Sequence, residues 1–117
     1  MGDLHLDPEA MGLFHEARNQ IMQSMLAPGG SGRAQAGARV VQLGDLGSYH
    51  CGPGGWGCFT LAREYLAGFR VPAATILGNH DLEGAEFESD EENLEAWKQV
   101  GGCNCCCPPL GGCSVLC

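Results

Sequence analysis

No apolar run in this 117-residue chain approaches the roughly 20 residues needed to cross a bilayer. Basic side chains are scarce as well: six Lys and Arg stand against fourteen Asp and Glu, a formal net charge of -8 at pH 7. The first shortage excludes a membrane helix. The second argues against non-specific binding to nucleic acid or anionic lipid, because polyanions repel an acidic surface. Neither the basic region nor the apolar core of a secretory signal is present at the amino end, and Asp3, Asp7 and Glu9 are the wrong chemistry for a transit peptide. A soluble, intracellular chain is expected, and no protein partner is indicated. Histidine is lacking after His80, and the eight cysteines are not arranged as two separated CxxC pairs.

What is present suits one small domain, since a chain of this length buries roughly two thirds of its unfolded surface on folding. The 19 glycines are about twice the usual share of roughly 7%, so part of the chain is loop. Asp7 as N-cap and Pro8 at the first helical position open a helix in which Met11, Phe14, Ile21, Met22 and Met25 recur at helical spacing to about residue 26. Residues 27–38 are small and read as a linker. Residues 39–43 and 72–77 are short β-type runs, each ending in a polar cluster. Between them lie a Gly/Pro-rich loop (47–57) and a helix (57–68) with Cys58, Leu61, Ala62, Tyr65, Leu66 and Phe69 inward. Ser89 and Glu92 form a capping box for a helix over 90–99, with Leu94 and Trp97 on its apolar edge. Alternating strands and helices predict an α/β fold with parallel pairing, whose functional groups gather at the carboxyl ends of strands. Residues 1–100 constitute that domain; residues 101–117 form a Cys/Gly-rich tail with no periodicity, expected to be unstructured.

The chemistry-bearing residues are Asp3 and His5, Asp45 after Gly44, and Asn79, His80 and Asp81 after Gly78. Carboxylate, carboxamide and imidazole are the donors that divalent cations require, and one carboxylate must bridge if two ions are held. Residues two apart in an extended segment point the same way, so Asp3 and His5 can face one ion. Glycine before Asp45 and before Asn79 suits tight strand exits.

In that order, Asp3-Leu-His5, Gly44-Asp45 and Gly78-Asn79-His80-Asp81 resemble the blocks of the calcineurin-like metallophosphoesterases, over about residues 3–100. The resemblance implies part of a four-layer α-β-β-α sandwich, two divalent cations (Mn, Fe or Zn), and hydrolysis of a phosphorylated small molecule or other phosphoester. It implies further that Asp3 and His5 bind the first metal, Asp45 bridges and Asn79 binds the second. His80 would stabilise the phosphoryl transition state or protonate the leaving oxygen, oriented by Asp81. The family pattern continues with a further histidine and a G-H-x-H block that this chain lacks, and it has a strand before the D-x-H block where this chain has only Met1 and Gly2. On that count the first ion keeps Asp3, His5 and Asp45, and the second keeps Asp45 and Asn79.

Other features have plainer readings. His15 and His50 are ordinary polar residues, although His50 follows Asp45 closely enough to line the same cleft. The acidic run from Glu83 to Glu95 lacks EF-hand spacing and reads as a solvated helix face. Cys103, Cys105, Cys106, Cys107, Cys113 and Cys117 could bind zinc or copper(I) as thiolates; the tail also reads as read-through of an intron or a shifted frame. No disulfide is expected in the first hundred residues. The alternatives to a phosphoesterase are thus a non-catalytic fragment binding one metal weakly and a thiol-rich metal-binding protein.

Overall fold

The computed structural model describes residues 1–26 and 38–100; the 101–117 tail and nearly all of the 27–38 linker lie outside the described residues. Its elements follow the expected order: α1 (Met11–Ile21), β1 (Val40–Gln42), α2 (Trp56–Ala67), β2 (Ala73–Thr75) and α3 (Asp90–Val100). Among the described residues no helix is long and apolar enough to cross a membrane.

β1 and β2 pair in parallel, with Val40 opposite Ala73, Val41 opposite Ala74 and Gln42 opposite Thr75. Parallel neighbours need a crossover connection, and α2 supplies it. On the other edge of β1 runs the amino-terminal segment. The Met1 amine donates to Val41 O at 2.8 Å, Leu43 N donates to Met1 O, and Leu6 is held between Leu46 O and the Ser48 N–H. A parallel bridge joins Leu6 to Gly47. β1 is therefore central, and its exit is flanked on both sides.

α1 begins as foreseen. The Asp7 carboxylate accepts from Glu9 N at 2.9 Å, and a 3-10 turn over Pro8–Ala10 leads into the helix. Met11, Phe14, Ile21 and Met22 pack against the core. Met25 does not: it is 63% exposed. The last turn, Met22–Leu26, is a π-turn; its wider winding rotates later side chains off the stripe that a 3.6-residue period predicts. The helix is fastened to α2 through Tyr65, whose hydroxyl donates to Phe14 O at 3.1 Å. Arg18 lies over the Tyr65 ring, 5.2 Å from its centroid, and donates to Tyr65 O. His15 stacks on the same ring. Burial pushes the Tyr65 phenol above its ordinary pKa, opposed by the Arg18 charge.

The core comprises Leu6, Val40, Leu46, Phe59, Ala62, Tyr65, Leu66, Phe69, Ala96 and Trp97. Phe59 is wholly buried although it falls outside the inner stripe read from the sequence; it shares one cluster with Leu6 of the amino-terminal segment, Val40 of β1, and Ala96 and Trp97 of α3. α3 starts at the predicted Ser89 cap, with the box shifted on its return side: Ser89 Oγ accepts from Glu92 N, while the Glu92 carboxylate accepts from Glu88 N, one residue before the cap, rather than from Ser89 N. Behind the box sits a buried polar hub. Asn93 accepts from Gly84 N at 2.9 Å and donates to Gly54 O and Asp81 O.

Truncating Asn93 to Ala orphans a buried N–H and two carbonyls, and should cost about 3 kcal/mol. A lower urea midpoint with an unchanged slope is the expected measurement; a midpoint equal to wild type would refute the hub.

Candidate metal centre

The site is assembled where the chain leaves β1 and β2. Leu4 N and His5 N both donate to Asp45 O, at 3.1 and 2.8 Å, which lays the Asp3-Leu4-His5 segment across the exit of β1. Asp3, His5 and Asp45 each offer a ligand atom, and these atoms lie within 4.8 Å of one another. Three of the predicted ligands are thus brought together, with Asp45 buried and the other two open to solvent. The cause differs from simple strand alternation. His5 has φ 43°, Asp45 has φ 52°, and Gly44 has φ 98°. Left-handed backbone outside glycine costs on the order of 1–3 kcal/mol, and His and Asp are among the residues that tolerate it best. The kinks swing both ligand side chains into one space.

The two glycines have separate reasons. A Cβ on Gly44 would stand 2.6 Å from Gly78 Cα and N, and one on Gly78 would overlap the backbone and carboxylate of Asp45. Gly44 also needs its positive φ; Gly78 is required by close approach alone.

Asp81 ties the exits together. It is buried, and its carboxylate accepts from Asp45 N (3.1 Å), Leu46 N (2.8 Å) and Gly78 N (2.9 Å). Burial pushes its carboxyl above the ordinary range, with the three N–H groups pulling the other way. In place of the implied Asp81–His80 hydrogen bond, the Asp81 oxygens meet backbone and the His80 ring meets a different acid. His80 Nδ1 is 2.8 Å from Glu83, and that contact first, with the charges of Glu83, Asp45 and Asp81, raises the imidazole pKa against the effect of burial. The His80 ring lies 5.9 Å from that of His5 and 5.8 Å from that of Tyr49, and His80 N donates to Asp45 Oδ1 at 2.9 Å. Asn79 is exposed at the head of the 3-10 turn His80–Leu82. Glu83 and Tyr49 were not foreseen. An acid three residues after His80 was a readable signal; nothing in the sequence marked Tyr49.

Two further expectations change. His50 pairs with Asp7 at 2.9 Å and lies 4.0 Å from Glu9, so it belongs to a separate, exposed group. Cys51 and Cys58 form a disulfide, with Cα atoms 5.3 Å apart. The loop over residues 52–55 folds back so that the turn Tyr49–Cys51 meets the first turn of α2, a proximity that no cysteine spacing announces.

No protein-family model, curated protein or solved structure matches this chain.

Gly78→Ala should lower stability by about 3 kcal/mol through overpacking, read as a fall in urea midpoint. The Asp7–His50 pair gives a pH signature. The Glu9 N–H and His50 lower the Asp7 pKa, and the Asp7 hydrogen bond raises that of His50. The Asp7 share of stability is complete above its ordinary pKa of 3.8 and lost as pH falls through the lowered value. The His50 share is complete below 6.5 and lost as pH rises through the raised value. NMR titration should place the His50 midpoint above 6.5 and return it toward that value in Asp7→Asn; an unchanged midpoint would contradict the pairing.

Proposed function

We propose that this chain is a metal-dependent hydrolase of phosphoric esters, built on part of a four-layer α-β-β-α sandwich and using a binuclear centre of two divalent cations. The observation that carries this reading is the convergence of Asp3, His5 and Asp45, from segments about 40 residues apart, to within 4.8 Å, with His80 hydrogen-bonded to the same Asp45. Two carboxylates and an imidazole fit a divalent cation such as Mn, Fe or Zn.

Cations held there would supply Lewis acidity and a nucleophile at neutral pH. The chain's own residues set the rest. Asp45 commits Oδ1 to the His80 N–H and keeps its second oxygen for ligation, so a single carboxylate positions both metal and imidazole. Asn79 would supply a carboxamide oxygen to a second ion. His80 would hold the proton that passes to the departing alkoxide, or donate a hydrogen bond to a phosphoryl oxygen in the transition state. Phosphorylated small molecules and other phosphoesters are the substrate class.

A second reading, a non-catalytic protein that binds one metal, has its own support. Among the described residues, the three blocks provide three donors for one ion but only Asp45 and Asn79 for another. Thiolate binding by the tail falls outside the described residues.

Calorimetric titration with Mn²⁺ and turnover of an aryl phosphodiester decide between them. The hydrolase reading expects two ions bound and Mn²⁺-dependent turnover; Asp45→Asn should weaken binding by more than about tenfold, since mutating even a residue that only supports a ligand costs about that much, and abolish turnover. One ion bound without turnover would favour the second reading.

A further inference from the structure

Asp81 is spoken for by three backbone N–H groups, which leaves open what orients the His80 ring. His80 opens a 3-10 turn, His80–Leu82, closed by Glu83 N donating to His80 O at 3.3 Å. In a 3-10 turn the side chains at i and i+3 eclipse. Glu83 therefore stands directly over His80, and its Oε2 is 2.8 Å from Nδ1. An ionised carboxylate can only accept, so the nitrogen facing it must carry the proton. Tyr49 meets the same ring nearly edge-on, at 72°, and limits its rotation from another side. Nε2 is then the nitrogen left for other chemistry.

We propose that Glu83 is the positioning residue of His80: it fixes the imidazole as the Nδ1–H tautomer and reserves Nε2, on a ring 5.9 Å from that of His5, for proton exchange with substrate. This use of Nε2 rests on the hydrolase reading, whereas the tautomer does not. In the proposed step the imidazolium gives its Nε2 proton to the leaving oxygen as the P–O bond breaks. The ring returns to the neutral Nδ1–H form, and the Nδ1 proton never leaves the Glu83 hydrogen bond.

The test is ¹⁵N NMR of the full chain labelled at histidine, at alkaline pH where the ring is neutral, with His80 assigned by its loss in His80→Gln. Wild type should show Nδ1 protonated and Nε2 bare. Glu83→Gln, which keeps an acceptor oxygen, should retain that signature, and Glu83→Ala should shift the ring toward Nε2–H. With Mn²⁺ and an aryl phosphodiester, kcat should fall about tenfold or more in Glu83→Ala, within the range for misplacing a general acid, at unchanged KM, and recover in Glu83→Gln. A wild-type ring protonated at Nε2, or a tautomer indifferent to Glu83→Ala, overturns the proposal. The expected tautomers without turnover in any variant uphold Glu83 as the positioning residue and overturn the hydrolase reading alone.

Discussion

The carboxylate of Asp81 is the constraint on which the rest depends. A buried carboxylate survives only when hydrogen bonds replace the water it has lost. Here they come from Gly78 on its own strand exit and from Asp45 and Leu46 on the other. β1 and β2 share only three register pairs, too few to fix by themselves how the chain leaves them. Asp81 clamps the two exits against each other, and Gly44 and Gly78 are glycine because that clamp leaves no space for a side chain. Asn93 then takes the Asp81 carbonyl and ties the clamp to α3.

Rigidity of this kind is what a site with left-handed His5 and Asp45 requires. Their strain persists only if the surroundings over-determine it. The Asp45 carbonyl receives two N–H groups from the amino-terminal segment, its own N–H is held by Asp81, and its carboxylate is held by the His80 N–H. Ligand atoms of Asp3, His5 and Asp45 are thereby held within 4.8 Å of one another.

The physics that makes local structure legible also marks where the sequence falls silent. Capping at Asp7 and Ser89, the two strands and the helix between them follow from hydrogen bonding and periodicity within a few residues, and each appears close to its expected bounds. Met25 departs from its stripe because a π-turn changes the period at that point. The Cys51–Cys58 disulfide depends on how a glycine-rich loop folds back, which no local propensity encodes. His50 turns to Asp7, 43 residues away, because the parallel bridge of Leu6 to Gly47 places the two loops side by side.

By itself the sequence determined the order of elements and the inventory of donors, since residue type and spacing act locally: a carboxylate at one strand exit and a carboxamide at the other, each directly after a glycine, with imidazoles close by in the chain or in the amino-terminal segment. Only the tertiary structure decided which groups meet. Asp3 and His5 join Asp45 because the amino-terminal segment runs parallel to β1, and Asp81 serves the backbone while Glu83 takes the imidazole. Those partnerships depend on the distance between two strand exits, a quantity fixed by packing across the sheet and invisible along the chain.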